Sequence, residues 1–169
     1  CVLTETALQE AWQLYQTWSS YAAERKGIVV AHASIHGHTA EVAENIAQRL
    51  SSMGEEVRLI DLCRTDASEA VSQAFKYDRM VLCASSYDAG VFPPMHIFLY
   101  KLGIKGYQSR RIGLVENGTW APTAGKTMRA MLETMKDITI LSPMLTIRSA
   151  WKEENSSTLD ELLCQLSEV

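Results

Sequence analysis

Residues 27–50, GIVVAHASIHGHTAEVAENIAQRL, predict a strand, a loop and a helix in direct succession. The apolar run Gly27–Ala33 is rich in β-branched residues, which is typical of a strand buried on both faces. Thr39–Met53 then carries apolar residues at three- and four-residue spacing, which predicts a helix that ends at Gly54. A strand followed at once by a helix indicates one βα unit of a parallel sheet.

The same alternation continues on both sides of this segment. Further helices are predicted at Thr4–Tyr21, Ala67–Phe75, Pro94–Leu102, Ala121–Met135 and Asn155–Leu166. Further strands are predicted at Glu56–Leu62, Arg79–Ala84, Arg111–Glu116 and Ile138–Ile147, the last interrupted by Pro143. Because crossover helices lie on the faces of a parallel sheet, we predict an α/β fold with five strands and helices on both faces.

Composition restricts the class of protein. The chain has 169 residues with 47% hydrophobic content, enough for one domain with a real core, and a net charge of −4. The mild acidity argues against binding to nucleic acid or to an anionic membrane surface, and no apolar run approaches the roughly 20 residues of a membrane span. Its 4 cysteines form no C-x-x-C pair, which excludes zinc ribbons and redox motifs and favours a reducing, cytoplasmic location.

In such a sheet, ligands bind outside the carboxyl ends of the strands. The first of the loops there, Ser34–Thr39, places hydroxyl groups and a glycine at the start of a helix, where unpaired N–H groups favour a phosphate. The chain has neither G-x-x-x-x-G-K-[ST] nor G-x-G-x-x-G after the first strand, so nucleotide hydrolysis and dinucleotide binding are disfavoured. The alternative is plain helix capping by Ser34 or Thr39.

Two later loops contain aromatic residues among small ones. The second, after the third strand, holds Tyr87 among small residues that let a flat ring approach the backbone. The third, after the fourth strand, holds Trp120, whose indole is suited to stacking on an aromatic ligand. The alternatives are that Tyr87 and Phe92 pack into the core, and that Trp120 packs against the next helix or lies in a contact with another protein. The pair His36 and His38 lacks a nearby third ligand, so no metal site is predicted, and no catalytic residue is assigned.

With their spacing, the segments EVAENIAQRLSSMG, SYDAGVFPPM and ENGTWAPTAGKTMRAML resemble the flavodoxin-like module of flavodiiron proteins over nearly the whole chain from Gly27 onward. TALQEAWQLYQTWSS is similar to the helix that joins that family's metallo-β-lactamase-like diiron domain to the module. The resemblance implies a linker helix over residues 1–25 from an upstream domain. It also implies a flavodoxin-like domain over residues 26–169, with strand order 2-1-3-4-5.

The resemblance further implies non-covalently bound FMN. The phosphate would be held by Ser34, Ile35, His36, Gly37, His38 and Thr39. The flavin ring would be flanked on one side by Ser85, Ser86, Tyr87, Asp88, Ala89 and Gly90, and on the other by Asn117, Gly118, Thr119 and Trp120. The chain departs from the family at His38, where Asn is common, and at Asp88-Ala89, where Asn-Gly is common.

The function implied is electron transfer through FMN to a diiron domain that reduces oxygen or nitric oxide. A rubredoxin or an NAD(P)H-linked reductase would be the donor, and the protein would be a homodimer. No H-x-E-x-D cluster occurs in this chain, so the diiron ligands would lie on the upstream domain. Two other hypotheses are an FMN-dependent NAD(P)H:quinone reductase and a flavodoxin-like interaction module without cofactor.

Overall fold

Strands and helices alternate throughout the structure, a computed structural model that describes residues 4–167. The strands are β1 (Arg25–Ala33), β2 (Val57–Asp61), β3 (Tyr77–Tyr87), β4 (Gly90–Val91), β5 (Arg110–Asn117), β6 (Ile138–Ile140) and β7 (Leu145–Ile147). The helices are α1 (Glu5–Ser19), α2 (His38–Ser52), α3 (Ala67–Lys76), α4 (Pro93–Ile104), α5 (Ala124–Leu132) and α6 (Ser156–Ser167). Within this described range, no helix is both long and apolar enough to cross a bilayer.

The central sheet is parallel, in the order β2-β1-β3-β5-β6. The predicted fifth strand is two pieces around Pro143, and both pair with β5: β6 along its first residues and β7 along its last. The expected five-position order 2-1-3-4-5 is therefore confirmed, as is the interruption of the last strand.

Helices cover both faces of the sheet, as predicted. Along β1, Val29 and Ala31 belong to the core beneath α3, α4 and α5, whereas Ile28 and Val30 belong to the core beneath α2 and α6. All four side chains are 0% exposed, which explains why the strand shows an unbroken apolar run rather than an alternation.

Arg79 at the base of β3 joins three elements on the second of these faces. Its guanidinium makes two hydrogen bonds of 2.8 Å to the Glu55 carboxylate after α2 and one of 2.7 Å to the Leu166 carbonyl in α6. The Arg79 side chain is 4% exposed and Glu55 18%, so this ion pair is largely shielded from solvent.

The first helix forms as predicted but differs from the others in its packing. None of its residues is buried. Its carboxyl end is attached to the domain, because the carbonyl of Tyr21 accepts a 2.9 Å hydrogen bond from Arg110, and Trp18 donates one of 2.7 Å to Glu24. The division at residues 25 and 26 stays a prediction, and residues 1–3 of the expected linker lie outside the described residues.

The prediction that the third strand ends at Ala84, with a loop from there to the helix at Pro94, is wrong. The third strand continues to Tyr87 and forms an antiparallel hairpin with β4, in which Tyr87 pairs with Gly90. Asp88 and Ala89 form the two-residue turn with φ of 45° and 56°, as a type I′ turn requires.

The prediction that α5 begins at Ala121 is also wrong, since the helix starts at Ala124. The hydroxyl of Thr123 instead donates a 2.8 Å hydrogen bond to the Gly90 carbonyl, so the residues before α5 are held against the hairpin.

Candidate functional site

The carboxyl ends of β1, β3, β5 and β7 meet around a cavity of about 230 Å³. All three loops proposed from the sequence contribute to it. The cavity is lined by Ser34, Ile35, His36, His38, Thr39, Ser85, Ser86, Asn117, Gly118, Thr119 and Ser149. These described lining residues include no carboxylate, lysine or arginine, so the cavity wall consists of hydroxyls, amides, imidazoles and backbone groups.

The amino end of α2 opens onto this cavity. Its N-cap residue is Gly37, with φ of 97°, and no side chain of the described residues caps the helix. The Ser34 hydroxyl accepts a 3.0 Å hydrogen bond from the Gly37 N–H and thereby closes the loop, so the capping alternative for Ser34 and Thr39 is wrong. The N–H groups of the first turn therefore have no side-chain acceptor and lie at the positive end of the helix dipole, which favours an anion.

A hydroxyl pair connects the first loop to the second. Thr39 Oγ1 and Ser85 Oγ are 2.9 Å apart, and Thr39 is only 3% exposed. One of the two hydroxyls donates to the other, and the one that accepts keeps its own hydrogen for a ligand. The pair therefore adds one hydroxyl donor to the amides at the start of α2.

The histidines of the first loop, His36 and His38, belong to no cluster of metal-ligating side chains among the described residues. His38 Nδ1 lies 3.5 Å from a Glu41 carboxylate oxygen, and no group of three or more potential ligands occurs within residues 4–167. His32, two residues before the loop, is 5% exposed, and its Nδ1 has no hydrogen-bond partner in the described part of the chain. Burial lowers the pKa of His32, an effect that the carboxylates of Asp61 and Glu44 partly oppose.

A second cavity, of about 240 Å³, adjoins the first. It is lined by Ser86, Tyr87, Asp88, Ala89, Gly118, Thr119, Trp120, Ala121 and Thr123. Ser86, Gly118 and Thr119 line both cavities, so the two lie side by side. Gly37 and Gly90, predicted as site residues, line neither of them and act through the backbone of their loops.

Both aromatic residues of the second cavity are accessible. Trp120 is 96% exposed, so the alternative in which it packs against the next helix is wrong. Tyr87 is 45% exposed, so the alternative that it packs into the core is wrong, whereas Phe92, at a ring-centroid distance of 5.8 Å from it, does pack against the core. Exposure of a large indole beside a glycine-containing cavity indicates a stacking surface.

Ser86 fixes the position of the third loop. Its Oγ accepts hydrogen bonds from the N–H groups of Thr123 and Ala124, at 2.9 and 3.2 Å. Gly118 lies against the same hydroxyl, and a Cβ there would come within 2.9 Å of Ser86 Oγ and 3.1 Å of Pro122 Cα. The close approach of the two loops therefore depends on a glycine at position 118.

Asn117 holds a segment that the sequence did not point to. Its amide donates to the Ser149 carbonyl at 2.9 Å and accepts from the Ser149 N–H at 3.1 Å. Ser149 has φ of 71° and lines the first cavity. Neither this bidentate contact nor the positive φ leaves a local signal in the sequence around Ser149.

Glu116, near the end of β5, accepts a hydrogen bond from the first turn of α5. It is 5% exposed, and its carboxylate accepts hydrogen bonds from the Gly125 N–H at 2.8 Å and the Thr146 hydroxyl at 2.9 Å. A Cβ at Gly125 would overlap the Met144 sulfur and would lie 2.9 Å from a Glu116 oxygen. Helix α5 therefore needs glycine here to pack on the end of β5.

Comparison with known proteins gives the family context of this geometry. No protein-family model matches the chain. An uncharacterized protein of Methanocaldococcus jannaschii is 20% identical over 169 residues, which are 99% of this chain and 42% of that protein.

Three solved structures illustrate the structural similarity. The rubredoxin:oxygen oxidoreductase of Desulfovibrio gigas matches with a TM-score of 0.81 at 15% identity, over 95% of this chain and 41% of that one. The flavodiiron protein of Giardia intestinalis matches with a TM-score of 0.79 at 17% identity, over 95% of this chain and 40% of that one. A flavodoxin from the domain Archaea matches with a TM-score of 0.71 at 19% identity, over 85% of this chain and 97% of that one. The chain thus has the flavodoxin-like fold, and it spans about two fifths of the length of the curated relative and of the Desulfovibrio gigas and Giardia intestinalis proteins.

Proposed function

We propose that this chain binds FMN at the carboxyl edge of its sheet and serves as an electron-transfer module. The observation that carries the proposal is the cradle at the start of α2, whose lining has no carboxylate, lysine or arginine, beside an adjoining cavity lined by Tyr87 and Trp120. FMN has an anionic phosphate, a polyol chain and a flat ring in that order, and the two adjoining cavities offer matching surfaces in that order.

The residues that line the two cavities are chemically suited to FMN. The open amides of α2 and the hydroxyls of Ser34 and Thr39 are donors suited to a phosphate. Ser86, which lines both cavities, would lie beside the polyol, and Tyr87 and Trp120 would stack on the ring. FMN, when bound, supplies the capacity to accept and release electrons, whereas the protein supplies binding and orientation.

The wider assembly follows the same proposal. Electrons would pass to a diiron, metallo-β-lactamase-like domain upstream of this chain, from a rubredoxin or an NAD(P)H-linked reductase, in a cytoplasmic homodimer. The support is that this chain covers two fifths of a flavodiiron protein with a TM-score of 0.79. A flavodoxin of nearly the same span as this domain supports the electron-transfer role alone.

The test compares FMN with riboflavin, which lacks the phosphate. Apo-protein titrated by flavin fluorescence quenching should bind FMN at least 100-fold more tightly than riboflavin. Loss of a hydrogen bond to a charged group amounts to about 1.5–3 kcal/mol, so Ser34→Ala and Thr39→Val should each weaken FMN binding roughly 10- to 100-fold. Neither should change riboflavin binding, and Ser52→Ala at the far end of α2 is the matched control.

Equal affinity for FMN and riboflavin, or no binding of either, would overturn the proposal. A second measurement separates the quinone reductase hypothesis. If NAD(P)H alone reduces the bound flavin within seconds and a quinone reoxidises it, the chain is a reductase rather than a module that needs a protein donor.

A further inference from the structure

The cradle at the start of α2 contains two histidines and no permanently charged side chain. Its described lining residues include no lysine, arginine or carboxylate, but they do include His36 and His38. Imidazole is the side chain whose charge changes between about pH 5 and 8. Among the lining residues that the structure describes, these two are therefore the only ones that become cationic near neutral pH.

Both histidines lie where the chain enters α2. His36 precedes the N-cap residue Gly37, and His38 is the first residue of the helix. Both are exposed, so their rings exchange protons freely with solvent. A positive charge is unfavourable at the amino end of a helix, but an anion bound there reverses this effect. Protonation of the two rings and binding of an anion should therefore favour each other.

The charged groups nearest the two rings are screened or already paired. On α2, a carboxylate oxygen of Glu41 lies 3.5 Å from His38 Nδ1, but the Glu41 side chain is 74% exposed and its charge is screened by solvent. The segment after β2 contacts the first loop through Cys63. This segment carries Asp61 and Arg64, which form an ion pair at 3.5 Å and largely offset each other.

The remaining elements around the cradle add no charge to its wall. The loops after β3, β5 and β7 contribute only uncharged residues to the cavity. Arg148 adjoins Ser149 in the chain but does not line the cavity. His32 on β1 is buried near the carboxylates of Asp61 and Glu44 and does not line the cavity either.

We propose that His36 and His38 are the cationic phosphate-binding groups of the cradle and make its affinity for FMN depend on pH. This proposal rests on the function proposed above, because it concerns the same site. At alkaline pH, the amides of α2 and the neighbouring hydroxyls hold the phosphate alone. As the pH falls, each imidazole takes up a proton from solvent and adds a charge-assisted contact. FMN binding near neutral pH is therefore accompanied by proton uptake.

The size of the effect follows from the exposure of the two rings. An exposed ion pair changes an affinity by a factor of roughly 1.5 to 5, and two imidazolium groups beside one phosphate combine two such factors. Between about pH 8.5 and pH 6, protonation should therefore strengthen FMN binding roughly 3- to 20-fold. The second ionisation of the phosphate itself, near about pH 6, acts on every variant alike and cancels when two variants are compared.

The test titrates the apo-protein with FMN and with riboflavin by fluorescence quenching at several pH values. His36→Gln/His38→Asn is uncharged at every pH. Its FMN dissociation constant should equal that of the parent at about pH 8.5 and exceed it roughly 3- to 20-fold at about pH 6. His36→Lys/His38→Lys stays charged and should bind FMN more tightly than the parent at the alkaline end only. Riboflavin, which has no phosphate, should show neither difference.

Isothermal titration calorimetry measures the protons directly. Binding of FMN in two buffers of different ionisation enthalpy should show net proton uptake near neutral pH in the parent, and less uptake in the Gln/Asn variant. His96→Gln is the matched control, because His96 is an exposed histidine on α4 that does not line the cradle. It should keep the pH dependence of the parent, and circular dichroism checks that all variants fold.

Two kinds of failure are distinguishable. If FMN binds but the parent and the Gln/Asn variant show the same pH dependence, the two histidines are not the cationic groups and the inference is overturned. A loss of affinity that is the same at every pH overturns it too, because that result indicates a purely structural role. Absence of FMN binding at every pH overturns the proposed function and this inference with it.

Discussion

Replacing Ala89 by glycine is expected to stabilise the protein, against the usual effect of adding a glycine. Ala89 and Asp88 form the β3–β4 turn with φ of 56° and 45°, in the left-handed region. A side chain with a Cβ pays a steric penalty there of about 1–2 kcal/mol, which glycine avoids. The hairpin pairs of Ser86 with Val91 and Tyr87 with Gly90 keep the turn in this conformation.

The net magnitude follows from two opposing effects. Glycine increases the entropy of the unfolded chain, which lowers the free energy of unfolding by about 0.4–1 kcal/mol. Relief of the left-handed penalty outweighs this loss, so Ala89→Gly should raise the free energy of unfolding by about 0.5–1 kcal/mol. With a urea dependence of about 2 kcal/mol per molar, the unfolding midpoint should rise by roughly 0.25–0.5 M.

The assay is urea unfolding of the apo-protein followed by circular dichroism. The matched control is Ala121→Gly in the neighbouring loop, where φ is not positive and the same substitution should lower the midpoint. If Ala89→Gly lowers the midpoint as Ala121→Gly does, with an unchanged slope, the left-handed turn is not a source of strain and the reasoning is refuted.

Three further outcomes are expected in the same unfolding assay. Because burial lowers the pKa of His32, the folded state binds fewer protons than the unfolded chain, and the free energy of unfolding should fall from pH 7.5 to pH 5.5. The variant His32→Gln should show a weaker dependence on pH. An equal pH dependence in both proteins would contradict this role of His32. Arg79→Gln should lower the free energy of unfolding by about 3–5 kcal/mol because it breaks a shielded ion pair. The exposed ion pair of Arg25 with Glu56 spans 3.4 Å, so Arg25→Gln should lower the free energy of unfolding by less than about 1 kcal/mol. Equal losses in the Arg79 and Arg25 variants would show that burial of the ion pair does not matter. Gly125→Ala should lower the free energy of unfolding by about 1–3 kcal/mol, because the added methyl group overpacks the site. Gly103→Ala lies inside α4, where the added methyl group makes only an ordinary 3.6 Å contact, and should raise the free energy of unfolding by about 0.5–1 kcal/mol. A change of the same sign in both variants would count against the packing argument.

The architecture was predictable because its signals are local and repeated. Val29 and Ala31 face one core and Ile28 and Val30 the other, so β1 shows the unbroken apolar run of a doubly covered strand. Alternation of such runs with amphipathic helices leaves few topologies, since parallel crossovers are right-handed. The position of the cavity followed in turn, because ligands bind at the carboxyl edge of such a sheet.

The hairpin was missed because its turn lacks the residues that such turns prefer. Type I′ turns favour Asn-Gly, and here Asp88-Ala89 occupies the two central positions. Ala89 gives no local indication of a positive φ, so the segment was interpreted as a loop. Pairing of Ser86 with Val91, which lies across the turn, is what holds this conformation in the folded protein.

The polar residues at the carboxyl edge divide into two groups that sequence alone does not separate. Ser86 and Asn117 were both predicted to contact the flavin, yet each is engaged in two hydrogen bonds that hold backbone segments more than 30 residues away in the chain. The hydroxyls of Thr39 and Ser85, by contrast, have only each other as hydrogen-bond partners among residues 4–167, so the pair keeps one donor free for a ligand. The distinction depends on which distant N–H groups come within hydrogen-bond distance, and tertiary packing decides this. A cradle that lacks lysine and arginine must therefore hold an anion through the placement of its backbone, and the residues that position this backbone contribute to binding as directly as those that line the cavity.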